Sequence, residues 1–498
     1  MRALAALLIP IGLAAANLPV VPYGAVYFRK TSPPRTDWER DHARAAADGM
    51  NAFRHWFMWG AIEVAPGTWD WDDYDQQMGL AAKNGISVII GEITHSAPEW
   101  AFREFAHARF VGADGHPSGS SIRDSSATGG YPGLCLDNED FKARAEDFLS
   151  ALASRYKDHK ALAGYDVWNE ANLGSSGFGA CYCPATVARF RKWLEARYGS
   201  LEGVARAWQR FSLVTWEDVQ PPRRMHCYAE DLDWAQFRIE NAYRLMKWRV
   251  DTIRRNDPSH VITAHGVADR TLTEHLAAAH DVWRAGALVD IYGYSRGSAY
   301  EDREANNWRR WASVDLTRAG SADKPFWAAE MSAGPGGWGA RSGAPDRGRL
   351  PKGHDVRVAN FIGLAGGVTG IFSARWRPLL EGPLTGSLGF YGMDGSPTDR
   401  SEMGGRIARW ANAPERKALW TSRPVKGDIG ILFVPESQIY ETLRGGGSSE
   451  AYARAVEGAY RAFLDNNIQA DWVHIDRIAE YDTIYLPDPA CDPGTFRQ

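Results

Sequence analysis

Residues 161–172 read ALAGYDVWNEAN, and the fold turns on how that stretch is parsed. Ala163–Trp168 is a short apolar run that reads as a buried strand, ending in the pair Asn169-Glu170. Before it Asp140–Tyr156 carries apolar and aromatic residues at helical spacing, and Ala185–Tyr198 does the same after it. A strand between two amphipathic helices is one unit of a parallel sheet wrapped by helices. The pattern recurs outward in both directions. Strands are expected at Tyr23–Phe28, Ala52–Trp59, Ser87–Ile93, Ala163–Trp168, Val261–His265, Val289–Tyr294, Phe326–Ala329 and Val368–Ser373, with another helix over Asp233–Arg255. Eight β-then-α units predict a (β/α)8 TIM barrel with long loops over residues 21–422. Beyond Ser422 the alternation restarts, with strands expected at Asp428–Val434, Ala470–His474 and Thr483–Leu486 and a helix at Glu450–Asn466. That is a small flavodoxin-like α/β domain over 423–498, partial because it holds only three strands. Arg444–Ser449, RGGGSS, reads as a loop inside it.

Composition narrows the partners. Hydrophobic residues are 44% and charged residues 24% of the 498, which excludes a disordered, collagenous or polytopic membrane chain. Lys+Arg number 57 against Asp+Glu 61, so charge gives no reason to expect nucleic acid or an anionic membrane as partner. The 21 tryptophans suit either a tryptophan-rich core or flat platforms for sugar rings. Arg2 followed by the apolar run Ala3–Ala16 makes residues 1–20 a signal peptide or an apolar extension. The first option implies a secreted or periplasmic protein with no membrane span after processing, the second a cytoplasmic one. Five cysteines, Cys135, Cys181, Cys183, Cys227 and Cys491, are too few and too irregular for a disulfide scaffold.

Two glutamates carry the chemistry. Glu170 follows the fourth expected strand; Glu330, in PFWAAEMSAGPGGWG at 325–339, follows the seventh and leads into a Gly-rich loop with Trp338. In a barrel both project from strand ends into one pocket, and two carboxylates facing each other across a substrate are what glycosidic cleavage needs. Glu63, Glu92, Glu99, Glu139 and Glu381 are competitors without that placement at both strand ends. The partner is then a glycoside or oligosaccharide. An endo-glycanase with an open cleft and a non-catalytic carbohydrate-binding barrel are the alternatives, although a binding protein has no need of two opposed carboxylates.

The chain resembles the family 42 glycoside hydrolases, mostly β-galactosidases of the retaining clan. The resemblance rests on FRHWFMWGAIEVAPGTWDWDDYD at 53–75, APEW at 97–100, Asn169-Glu170, CYCPATVARFRKWLEARYGS at 181–200, the Glu330 loop and FSARWR at 372–377. It implies Glu170 as proton donor, Glu330 as nucleophile, Asn169 on the sugar 2-hydroxyl and Trp338 as a stacking wall. Arg123, Tyr294 and Trp376 are further candidates for substrate binding. Some members bind zinc through four cysteines; here Cys135, Cys181 and Cys183 match, but Thr186 stands in the fourth place. Cys227, His226 or water could complete such a shell, and a disulfide within the trio is the alternative; no metal or cofactor is assigned. Family members also carry a Glu and a His after the eighth strand that hold galactose hydroxyls, where this chain has Leu384 and Ser387. The resemblance therefore implies a glycosidase whose sugar differs from galactose. It further implies a homo-oligomer, a trimer in the family, although the tail from Lys426 onwards resembles only the start of the family's trimerisation domain.

Overall fold

The computed structural model describes residues 17–488 except 31, 95, 118–132, 171–180, 225, 268–271, 273–278, 297–306, 335–350 and 382–384. The apolar runs become β1 (Tyr23–Val26), β2 (Ala52–Met58), β3 (Ser87–Ile93), β4 (Leu162–Asp166), β5 (Val261–Val267), β6 (Ile291–Arg296), β7 (Phe326–Ser332) and β8 (Gly370–Ala374). They pair in parallel in chain order, and β8 closes onto β1. The expected barrel is therefore present. Helices such as Trp38–Ala47, Asp72–Lys83, Glu139–Tyr156, Ala229–Asn256, Asn307–Ser321 and Gly353–Ala365 follow the strands in sequence and cover them. The strand ends differ from expectation at one functional point. β6 and β7 stay paired through Ser295↔Glu330 and Arg296↔Met331, across an irregularity between Tyr294 and Ser295, so Glu330 lies inside β7 rather than after it.

The barrel interior is layered. Ala52, Ile89, Ala163, Val261, Ile291, Trp327 and Phe372, one from each of β2 to β8, form an apolar floor against which Leu18 packs from below. Asn17 fastens that segment by donating from Nδ2 to Leu162 O at 3.0 Å and accepting from Ser87 Oγ at 2.6 Å. Two residues further along a strand the side chain again faces inward. Further along, the layer turns polar, with Arg54 two residues beyond Ala52, Asp166 three beyond Ala163 and His265 four beyond Val261, all buried. Gly91 and Gly293 leave the room. A Cβ at Gly91 would sit 3.2 Å from Trp56 Cδ1, and one at Gly293 would sit 2.8 Å from Ala329 Cβ and 3.1 Å from Trp327 O. Much of the tryptophan excess goes into packing: Trp38, Trp59, Trp234, Trp376 and Trp472 are fully buried.

The C-terminal region forms a three-stranded parallel sheet, β9 (Ile429–Leu432), β10 (Ala470–Val473) and β11 (Thr483–Tyr485), in the order β10-β9-β11. Helices Pro435–Arg444 and Glu450–Asp465 accompany it. The first of these was not expected from the sequence, and Gly446 and Gly447, at φ of 65° and 106°, turn the chain after it. The sheet is anchored to the barrel's outer helices. Trp283 stacks on Phe433 at 5.5 Å, Tyr460 donates to Asp315 Oδ2 at 2.5 Å, and Arg318 pairs with Asp315 at 2.6 Å and with Asp471 at 3.4 Å.

The tight interior makes a stability prediction. Gly293→Ala should destabilise the protein by roughly 1–3 kcal/mol, because the added methyl overpacks a rigid layer. A urea-unfolding midpoint equal to that of the parent would refute the layered packing.

Candidate active site

β4 delivers Glu170. The chain leaves the strand after Asp166, Val167 N–H still donates to Thr263 O at 2.9 Å, and the turn places Glu170 at φ 48°, in the left-handed region. A non-glycine residue there carries a local conformational cost and is held by its surroundings. Contacts from His265 and Ser295 hold it. The Glu170 N–H donates to His265 Nε2 at 3.4 Å, and Ser295 Oγ donates to Glu170 Oε1 at 2.7 Å. Because Nε2 accepts, the ring proton resides on Nδ1, which donates to Asp166 Oδ2 at 2.9 Å.

β2 delivers the residue that joins both sides. Arg54 is 2% exposed, and its three nitrogens have three destinations. Nε lies 2.7 Å from Asp166 Oδ2, Nη2 donates to Asn169 Oδ1 at 2.7 Å, and Nη1 pairs with Glu330 Oε1. Burial pushes the Asp166 carboxyl up, but Arg54 and His265 outweigh it, and the group is held below the ordinary carboxylate value. Ser295 is Glu330's neighbour in register on β6 while its hydroxyl reaches Glu170, so it stands between the two glutamates. Beside Glu330, after β8, Arg375 is 5% exposed with its guanidinium over the Trp56 ring at 4.9 Å. Burial draws its pKa down to about 10, with Glu330 opposing the shift.

The structure thus brings together Asn169, Glu170 and Glu330. Tyr294 is a correction: it is buried, its hydroxyl lies 3.9 Å from Met331 Sδ, and it packs under Gly363 of the covering helix. The ladder irregularity beside it gives the inward place to Ser295. Trp376 is also corrected, being fully buried, stacked on Tyr391 at 3.9 Å and edge-on to Tyr27 at 5.7 Å. Arg123, Trp338, Leu384 and Cys491 lie outside the described residues. Of the competing carboxylates, Glu63 is fully buried, accepting from Trp59 Nε1 at 2.7 Å and pairing with Arg144, a structural role. Arg54, Asp166, His265 and Ser295 were not singled out from the sequence. The available signal was a charge or imidazole in the middle of an apolar strand, as in AFRHWF and GYDVW.

The three cysteines do converge. Cys135, Cys181 and Cys183 are buried, with ligand atoms within 4.8 Å of one another, and neither Cys227 nor His226 joins that group. All of the cysteines among the described residues are free thiols. Thr186 fills the fourth place, 3.4 Å from both Cys135 Sγ and Cys183 Sγ, and its hydroxyl donates to Asp137 Oδ2 at 2.7 Å. A neutral hydroxyl already engaged with a carboxylate does not complete the four-ligand shell of structural zinc. The residues present do not fit a family-type zinc site, and no chemistry is routed through it.

The sequence profile of glycoside hydrolase family 42, described as beta-galactosidase, matches residues 27–382. Similar proteins include beta-galactosidase BgaA of Thermus sp, 25% identical over 362 residues, covering 69% of this chain and 53% of that protein. Beta-galactosidase Bga of Halorubrum lacusprofundi is 26% identical over 394 residues, covering 75% and 53%. The chain thus spans about half the length of the curated relatives it matches. Among solved structures, the Halorubrum lacusprofundi beta-galactosidase aligns with a TM-score of 0.80 at 21% identity, over 93% of this chain and 69% of that one. The beta-galactosidase of the psychrophilic Marinomonas ef1 gives 0.79 at 19%, over 94% and 72%, a likeness of fold. No helix among the described residues is long and apolar enough to cross a membrane.

The buried network has a pH signature. Because Asp166 is lowered in the fold, its ionised form stabilises the protein above the unfolded value of about 3.9. That contribution is lost as pH falls through the lower folded value. Asp166→Asn should cost roughly 3–5 kcal/mol at neutral pH, since Arg54 loses a buried partner. It should also flatten the acid side of the stability profile. Urea midpoints between about pH 2 and 7 measure both; an unchanged acid slope would refute the assignment.

Proposed function

The chain belongs to glycoside hydrolase family 42, and from that membership and the arrangement around Glu170 and Glu330 we propose that it is a retaining exo-glycosidase acting on a terminal β-linked sugar. The observation that carries the role assignment is the ion pair between Glu330 and the buried Arg54 guanidinium, which keeps Glu330 ionised as a nucleophile requires and leaves Glu170, which accepts from Ser295, as the proton carrier. Glu330 attacks the anomeric carbon while Glu170 protonates the departing oxygen, giving a covalent glycosyl-enzyme. Glu170 then takes a proton from water, which displaces Glu330 and restores the original configuration. Asn169, its Oδ1 held by Arg54, keeps its NH2 to donate to the sugar 2-hydroxyl. Such a mechanism requires the two carboxyl groups about 5–5.5 Å apart.

The sugar differs from the family's galactose, in view of Leu384 and Ser387 at the two polar positions. We infer from the apolar run Ala3–Ala16 that the protein is exported.

Two variants test the roles. Glu330→Ala should abolish turnover and be rescued by azide, giving a glycosyl azide of inverted configuration by NMR. Glu170→Ala should lose about 10²–10⁴-fold on poor leaving groups yet spare aryl glycosides with acidic ones. Like behaviour of both variants on an activated aryl glycoside would overturn the assignment. Export has its own measurement: protein purified from the native host should begin near Asn17 by intact mass, and a retained Met1 would refute it.

A further inference from the structure

The proposed chemistry leaves one buried charge over. Arg375 follows β8, whose last residue Ala374 pairs with Ser332 of the Glu330 strand, and 5% of it is exposed. Among the described residues no carboxylate lies within ion-pair distance of its guanidinium and none of its nitrogens is hydrogen-bonded; Nε is shielded from solvent as well. Glu330 acts on it only through space, having given its close contact to Arg54. With a pKa of about 10 it is a cation at neutral pH.

Arg375 shares an aromatic platform. The Arg375 guanidinium lies over Trp56 at 4.9 Å and that of Arg29 over the same ring at 3.9 Å, so cations following β8 and β1 converge on an aromatic of β2. Stacking on tryptophan offsets part of the desolvation of a guanidinium but satisfies none of its N–H donors. Burying an unpaired cation is strongly unfavourable, so the arrangement is explained if an anion arrives with the ligand. A planar fork of donors matches a carboxylate in two parallel hydrogen bonds, better than it matches a neutral hydroxyl. Arg54 cannot play this part, because its three nitrogens are already committed to Asp166, Asn169 and Glu330.

We infer that the terminal sugar bound beside Glu330 carries a carboxylate, a hexuronate, and that Arg375 is the residue that recognises it. This rests on the glycosidase reading for its catalytic meaning, while the recognition itself is measurable without turnover. It also gives the loss of two sugar-binding polar groups at Leu384 and Ser387 a counterpart, a subsite that selects by charge.

The test is calorimetric titration of the full chain with D-glucuronate, D-galacturonate, glucose, galactose and galactose 6-sulfate, with the matching 4-nitrophenyl β-glycosides assayed in parallel. The wild type should bind one uronate at least tenfold more tightly than its neutral parent and show the same order in kcat/KM. Arg375→Met should bring the uronate-to-neutral ratio close to one, and Arg375→Lys should restore part of it. Equal binding of acidic and neutral sugars by the wild type overturns the inference, whether or not the variants fold. A preference for the sulfate ester over both uronates overturns the carboxylate assignment. An Arg375→Met variant that lowers turnover of acidic and neutral glycosides by one common factor, with the binding ratio unchanged, makes Arg375 a support for Glu330 and likewise overturns it. Uronate binding as expected without hydrolysis of any aryl glycoside would uphold the recognition and overturn the glycosidase reading instead.

Discussion

The structure depends on one guanidinium at the centre of the barrel. Arg54 ties β2 to β4 through Asp166 and to β7 through Glu330, and it fixes Asn169 in the turn between β4 and Glu170. A cation removed from water to this extent persists only where acceptors meet it on each side. That requirement propagates into packing: the floor below is apolar and tight, and a side chain at Gly91 would press on Trp56 beside the guanidinium. Core and site are therefore one construction, and a defect in either moves the other.

The two glutamates differ in how they are supported. Glu330 sits in a continuous strand, its backbone fixed by the ladder between β6 and β7. Glu170 sits outside regular structure in a left-handed turn, held by an N–H to His265 and a hydroxyl from Ser295. His265 needs one tautomer to accept that N–H, and Asp166 secures it from the other side of the ring. A chain of hydrogen bonds thus runs from the Arg54 pair to the backbone of Glu170, so the positions of both carboxyl groups are referred to the same buried charges.

Strands buried on both faces read as near-continuous apolar runs, which is why the barrel was legible from residue order. The placement of the two glutamates in one barrel mouth was legible because each stands at the end of such a run. Their partners were not: which strand Arg54 faces, or that Asp166 and His265 meet across β4 and β5, is settled by closure of the barrel and not by local spacing. Tyr294 was misread for a local reason, since the irregularity beside it exchanges the inward side of β6. Trp376 was misread because a tryptophan near an active site reads alike whether it meets a sugar or, as here, Tyr391. Helix Pro435–Arg444 was readable and missed. It opens with proline, carries Ile439 and Leu443 one turn apart and is followed by glycine.

The clamp between the C-terminal sheet and the barrel has a thermodynamic consequence. Helix Asn307–Ser321 leads into β7, and it carries the groups that grip the sheet, Asp315 and Arg318, which meet Tyr460 and Asp471. Releasing the sheet would expose Trp472 and Tyr460 and leave Asp315, raised by its burial, without the hydroxyl that satisfies it. The helix before the Glu330 strand would lose its outer support in the same event. The two units therefore melt together, in one cooperative transition, and heat abolishes the site and the C-terminal sheet at a common temperature.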